Sequence, residues 1–364
     1  MAGITVLVAV LVVALGWSLV HRTGPVVQRP VRGRSPAVTG NAATEPARRA
    51  PELAIGQTLE WTSGGMPGET VRQVGPIRLR VRRRVEDDAV APVVEVSLGR
   101  DAVTIVGELA SEGFTHRISA IRNSAGGSPV VMLQSFSGGA HCCNHIQVAG
   151  LSSGRLKVVD LGSSDGEAMP LPYDMSGDGV ADFVGVDEAF LYAFAPYAMS
   201  FAPPVVRNVT GGRVIDVSRN GAFRRLFREE MKRAGETCRS GGDGVDRNGA
   251  CPSYVASAAR IGQLEPAWAE MMRSYAADAE WVLPTGCTVR SKAECPEAAR
   301  IVYKSYPEAL LAFLKERGYV PAGWSPPQVL QDGPIGGSDE ATVWSYVPGP
   351  VTRSSGGRMR ARAS

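Results

Sequence analysis

The chain is poor in the features by which a reaction could be recognised. Its 364 residues include only 4 histidines and 7% aromatic residues. Ser137 precedes Gly138-Gly139 but lacks the nucleophile elbow Gly-x-Ser-x-Gly, and the sequence has neither the metalloprotease motif His-Glu-x-x-His nor a phosphate-binding glycine loop. The 39 basic and 36 acidic residues leave a net charge of +3, too small to indicate nucleic-acid binding. We therefore predict no catalytic residue and no nucleic-acid partner.

The hydrophobic pattern changes its period once along the chain, near residue 218. Before it, short apolar or alternating runs recur between glycine-rich turns, as strands do, at residues 77–82, 93–98, 103–106, 130–133 and 156–159. After it, apolar residues recur at helical spacing, at 223–231, 254–261, 268–281 and 307–317. The sequence predicts an α+β protein: an antiparallel β-rich domain over 52–217, meander-like or a partial propeller, then a small disulfide-stapled helical domain over 218–321.

One acidic loop has the spacing of a calcium site. Calcium prefers about six to eight hard oxygen ligands, and a nine-residue loop supplies them from alternate positions. Gly179 stands at the sixth position, where the chain must turn sharply. The predicted ligands are Asp174, Ser176, Asp178, Asp182 and the carbonyl of Val180. The alternative is a metal-free hairpin turn rich in glycine and aspartate.

This loop resembles the D-x-D-G-x-x-D turns of FG-GAP and VCBS-type β-propeller repeats, which bind calcium at the edge of a blade. The resemblance covers roughly residues 136–217. Together with the loop, Phe136–Cys143 and Phe190–Phe194 resemble an uncharacterised family of bacterial envelope proteins. The resemblance implies a calcium site in an extracytoplasmic β domain. Ser176 departs from the usual Asp or Asn, which lowers the expected affinity.

An apolar run at the N-terminus, Ile4–Val20, has the character of a short transmembrane helix. It lacks the basic start and the small-residue cleavage site of a signal peptide, so we expect residues 1–22 to be an uncleaved anchor. Secretion after cleavage is the alternative. Residues 23–51 and 322–364 have the composition of a disordered linker and a disordered tail.

Two features of the sequence indicate opposite orientations for this anchor. Six arginines between residues 22 and 49 favour a cytoplasmic location for the chain on the C-terminal side of the anchor. The calcium loop and the six cysteines favour the opposite side, because disulfides persist outside the cytoplasm. We expect the main part of the protein to be extracytoplasmic, in the periplasm.

The spacing of the cysteines indicates two local disulfides. Cys238 and Cys251 bracket one loop-like segment and Cys287 and Cys295 bracket another, so each pair can close a short loop in the helical domain. Free thiols or an interleaved pairing are the alternatives.

The remaining cysteines lie in His141-Cys142-Cys143-Asn144-His145. His141, Cys142, Cys143 and His145 could ligate zinc or copper if three or four of them converge. A vicinal disulfide between Cys142 and Cys143 and buried free thiols are the other interpretations.

Taken together, the sequence predicts a membrane-anchored extracytoplasmic calcium-binding protein. It would act as a binding or structural module of the cell envelope, with an unidentified envelope protein or ligand as partner. The alternative is a redox or metal-dependent enzyme that uses the segment from His141 to His145.

Overall fold

A computed structural model describes residues 50–62, 64, 68–111, 113–139, 143–165, 168–289 and 295–327. The predicted anchor, nearly all of the predicted linker and the tail beyond residue 327 lie outside these residues, as do His141 and Cys142. None of the helices in the described ranges is long and apolar enough to cross a membrane.

Most of the described chain before residue 217 is β-structure. The strands are β1 (Thr58–Thr62), β2 (Glu69–Val74), β3 (Ile77–Glu86), β4 (Ala89–Leu98), β5 (Asp101–Val106), β6 (Ala110–Ser111), β7 (Thr115–Arg122), β8 (Pro129–Phe136), β9 (Asn144–Ser152), β10 (Arg155–Ser164), β11 (Phe183–Val186), β12 (Pro204–Thr210) and β13 (Arg213–Asp216). Two short strands, β14 (Gly286–Cys287) and β15 (Arg300–Ile301), form a ribbon further on. All five predicted strands lie within observed ones.

The strands form three antiparallel sheets. The first has the order β2-β3-β4-β5, with β6 also paired to β4. The second has the order β1-β7-β8-β9-β10, and the third the order β11-β12-β13. Consecutive strands are neighbours in most of these pairs, so the sheets are meanders.

Burial explains the strand sequences. In β3 the apolar residues Ile77, Leu79 and Val81 are buried while the intervening arginines are exposed or half-buried, as the alternation predicts. In contrast, β8 is apolar at consecutive positions because both of its faces are covered. Leu133 packs in a core shared with the first sheet, and Met132 packs in a core shared with the third sheet.

The helical region follows the third sheet. Its helices are α1 (Arg224–Ser240), α2 (Gly244–Arg260), α3 (Leu264–Ser274) and α4 (Tyr306–Glu316). They share a core with the chain segment between β11 and β12, which contributes Phe190 and Phe194. A smaller cluster joins Val206 of β12 to α1.

Helix starts and stops follow local signals, and several ends differ from the predicted ranges. Ser305 caps α4, and Gly318, at φ +69°, follows its end. The glycine-rich segment after Cys238 is already helical from residue 244, because the Asp243 side chain accepts the Asp246 N–H and caps α2. The predicted helix 268–281 stops at Ser274.

Both local disulfides are present. Cys238 is bonded to Cys251 and Cys287 to Cys295. The first pair joins α1 to α2 inside the helical core, where both cysteines are buried. The observed architecture therefore confirms the predicted fold class, an α+β protein with a β-rich part and a small disulfide-stapled helical part.

Candidate functional site

The acidic loop lies between β10 and β11 and folds around the carboxylate of Asp174. That carboxylate accepts the N–H groups of Gly177 at 2.7 Å, Asp178 at 3.1 Å and Gly179 at 2.9 Å. Gly177 and Gly179 have φ values of +78° and +86°, in the left-handed region that favours glycine. The two glycines therefore let successive amides point inward at one carboxylate.

Asp182 closes the other end of the loop. Its side chain is 1% exposed and accepts the N–H groups of Met175 and Ser176, both at 2.8 Å. The Asn208 amide of β12 donates to its second oxygen at 2.8 Å. These bonds fix the loop directly against the third sheet, one residue before β11 begins.

All five predicted calcium ligands lie within this nine-residue loop, as their sequence positions require, but the carboxylates of Asp174, Asp178 and Asp182 do not converge on one point. The Ser176 hydroxyl lies 3.5 Å from an Asp174 oxygen, and the Asp178 carboxylate accepts the N–H of Val180 at 2.8 Å. Across the described ranges, no three His, Cys, Asp or Glu side chains are grouped closely enough to hold a metal ion. In chemistry the donor set fits calcium, since every ligand is a hard oxygen.

The segment from His141 to His145 is described only from Cys143 onward. Cys143 is disulfide-bonded, while the predicted vicinal bridge and the metal set both depend on Cys142 or His141, outside the described residues. His145 lies between two carboxylates, with Nδ1 2.7 Å from Glu108 and Nε2 2.9 Å from Asp160. Ligation of a metal by His145 would require one of these carboxylates to leave.

Electrostatics set the protonation of His145. Burial alone would lower its pKa, but hydrogen bonds and charge from Asp160 and Glu108 outweigh burial and raise the pKa above its usual value. Both ring nitrogens face carboxylate oxygens, so the charged imidazolium can donate to each. This arrangement joins β9 to β10 and to the segment after β5.

A second histidine, His116, has a pKa that is lowered rather than raised. His116 in β7 is 1% exposed, and its Nδ1 lies 2.8 Å from the Ser135 hydroxyl. Burial lowers the pKa of His116 to about 4, against a smaller raising effect of the Glu108 carboxylate. Ser135 is 1% exposed as well, so this serine and histidine lie away from any substrate and serve as buried polar partners.

An ion pair holds the helical region against the end of β11. The buried Asp187 carboxylate accepts from Arg317 at 2.8 Å and from the Tyr319 hydroxyl at 3.1 Å. It also accepts the Ala189 N–H at 3.2 Å and so caps a short 3-10 helix. The sequence carries no signal for this contact, because Asp187 and Arg317 lie 130 residues apart.

The comparisons with known proteins point to the helical region. Residues 227–318, from within α1 to beyond α4, match the family described as the sll0997 C-terminal domain. The family match does not fall on residues 136–217, which carry the resemblance to FG-GAP and VCBS-type repeats, so that resemblance stays a prediction.

Two curated relatives extend the similarity into the β-rich part. The probable thylakoid lumen protein sll0997 of Synechocystis sp. is 34% identical over 197 residues, 53% of this chain and 57% of that protein. The uncharacterized protein y4bJ of Sinorhizobium fredii is 30% identical over 265 residues, 71% of this chain and 41% of that protein. The chain spans about half the length of the curated relatives it matches. No solved structure matches the chain.

Proposed function

We propose that this protein is an extracytoplasmic binding module of the cell envelope whose β-rich part is stabilised by calcium in the loop from Asp174 to Asp182. The folding of the loop around Asp174 carries the calcium proposal. The Asp174 oxygens are held in place by three backbone amides, next to the Ser176 hydroxyl. An oxygen donor that is already held in place loses less conformational entropy on binding a cation than one in an unstructured segment does.

Two observations support the compartment. The similarity to a probable thylakoid lumen protein supports a location outside the cytoplasm. Disulfides such as Cys238–Cys251 and Cys287–Cys295 persist in oxidising compartments and are rare in the cytosol. The apolar run Ile4–Val20 would then anchor the protein to the membrane, with the described part on the extracytoplasmic side.

Thermal unfolding of the full chain in calcium and in chelator tests the calcium site. A cation that binds only the native state stabilises it by RT ln(1 + [Ca]/Kd), about 2.7 kcal/mol at a hundredfold excess over Kd. We expect a higher melting temperature in calcium. Asp178→Ala should abolish the calcium response, whereas Ser176→Asp, which adds a carboxylate ligand, should shift the response to lower calcium concentrations.

Asp278→Ala is the matched control, since Asp278 is an exposed aspartate outside the loop. It should keep the full calcium response. Identical melting of the wild-type protein in calcium and in chelator would overturn the calcium proposal. If elemental analysis then found stoichiometric zinc or copper, the alternative enzyme based on His141–His145 would take its place.

A further inference from the structure

Among the described residues, no strand pairs with the outer edge of β11. Strand β11 pairs with β12 on one side, with Gly185 opposite Val205 and Phe183 opposite Arg207. On the β12 side, the Asp187 N–H donates to the Pro203 carbonyl. On the opposite side, the Asp182 N–H donates to the Tyr173 carbonyl. The N–H and C=O groups of successive residues in a strand point to opposite sides. Those of Val184 and Val186 therefore point away from β12.

Within the described part of the chain, no backbone group pairs with the outward N–H and C=O groups of Val184 and Val186. On this side of the strand the described residues form one bridge, between Tyr173 and Asp182. Val186 is 41% exposed, unusual for a valine inside a sheet. An open edge of this kind can pair with another extended chain. With four residues, β11 is long enough to pair with a short segment.

A groove of about 550 Å³ runs along this edge, between the segment 168–170 and α1. Apolar side chains line much of this groove, including those of Val184, Met169 and Leu226. Gly185 lines this groove and also a smaller neighbouring cavity, so the missing side chain leaves space for a partner's side chain.

Acidic side chains also line the groove. Three carboxylates line it, from Asp165, Glu229 and Glu230, against one arginine, Arg233. Arg233 is bonded to Glu230 at 2.8 Å. Among the described residues, Glu229 pairs with the exposed Arg225 of the same helix face, a contact that is weak and exchangeable in water. The groove therefore has an excess of negative charge.

We propose that the β11 edge and this groove bind an extended segment of a partner protein in which apolar and basic residues alternate. The segment adds a strand to the third sheet through Val184 and Val186. Its apolar side chains lie in the groove over Gly185, and its basic side chains face Asp165 and Glu229. This inference goes beyond the calcium site, because pairing with β12 and the Asp182–Asn208 bond position β11 without a cation.

The test is fluorescence anisotropy of the full chain with three labelled synthetic peptides of equal length. In the first, valine alternates with lysine; in the second, valine alternates with glutamate. The third is the first with every second backbone nitrogen methylated, which removes the N–H groups needed for strand pairing. We expect saturable binding of the first peptide and affinities at least about tenfold weaker for the other two, equivalent to about 1.4 kcal/mol.

Two variants locate the binding. Gly185→Val should weaken binding at least about tenfold, because its side chain would occupy the space over residue 185, where an added Cβ would meet the Met169 methyl at an ordinary 3.6 Å. Its melting temperature is the control for folding. Glu229→Lys should weaken binding of the lysine peptide, whereas Glu280→Lys, at an exposed site outside α1 that does not line the groove, should leave it unchanged.

Three outcomes would overturn the proposal. They are absence of saturable binding by the lysine peptide, equal binding of the methylated peptide, and unchanged binding to Gly185→Val. Concentration-dependent self-association that is lost in Gly185→Val would also overturn it, because a second copy of the chain would then occupy the edge. A missing calcium response would leave it intact, so the two proposals can fail separately.

Discussion

Acidification should destabilise the protein through His116. The ring is buried in β7 and packs edge-on against Trp61, with 5.5 Å between the ring centroids. The Ser135 hydroxyl oxygen accepts the N–H of Glu108 at 2.6 Å, so its hydrogen is free to point at Nδ1 of His116. Protonation of the ring would bury a charge, which is why the neutral form is preferred.

The pKa values give the sign and the size of the effect. The pKa of His116 is about 4 in the folded protein, whereas the pKa of an unfolded histidine is about 6.5. The unfolded chain binds the proton more tightly, so this stability is fully present above about pH 6.5 and is lost as the pH falls towards about 4. At about 1.36 kcal/mol per pKa unit, the loss is roughly 2 kcal/mol at pH 5 and roughly 3 kcal/mol below pH 4.

Urea unfolding of the full chain between about pH 7.5 and pH 4.5 measures this loss. His116→Asn is the informative variant, because the asparagine carbonyl can accept from Ser135 but does not titrate. Its free energy of unfolding should fall less steeply with acid than that of the wild type, by roughly 2 kcal/mol at pH 5. An equally steep fall in both proteins would refute the reasoning.

His145→Asn is the control for this experiment, because His145 has the opposite sign. Its pKa is raised by Asp160 and Glu108 over the opposing effect of burial. Its contribution is therefore fully present below about pH 6.5 and is lost as the pH rises through the raised value. Loss of the acid effect in His145→Asn rather than in His116→Asn would mean that the two histidines were assigned the wrong roles.

Two further changes test the packing of the helical region. Asp187→Asn should lower the free energy of unfolding by about 2 kcal/mol, measured by urea unfolding, because it removes the buried charge that pairs with the half-exposed Arg317; no change would mean that the pair contributes nothing. Gly249→Ala should lower the melting temperature strongly, since its Cβ would lie 2.2 Å from the Met199 carbonyl, whereas Gly221→Ala, in open space, should not. Equal melting of the two alanine variants would contradict this packing.

Sequence reasoning succeeded where the determining contacts are local. The alternation of β3 follows from one face being buried, and Ile77 and Leu79 are buried as that pattern predicts. The pairing of Cys238 with Cys251 follows from a short separation of 13 residues. Both depend on neighbours along the chain, which a sequence displays directly.

Contacts between distant segments were beyond reach of the sequence. His145 was singled out beside cysteines, but its partners Glu108 and Asp160 lie 37 and 15 residues away. The open edge of β11 depends on which strand lies beside it, and no periodicity specifies that neighbour. Phe190 and Phe194 belong to the helical core although they precede the change of period near residue 218, because tertiary packing joins them to the helices.

The chain around β11 combines three roles within a few residues. Asp182 holds the loop to Asn208, Val184 and Val186 present the open edge, and Asp187 holds the helical region through Arg317. Each anchor lies at one end of the strand, so the edge is kept extended from both sides. Strand addition needs a partner edge that is already ordered, because ordering it on binding would cost conformational entropy. These two anchors therefore explain how so short a strand can remain ordered although no described strand pairs with its outer edge.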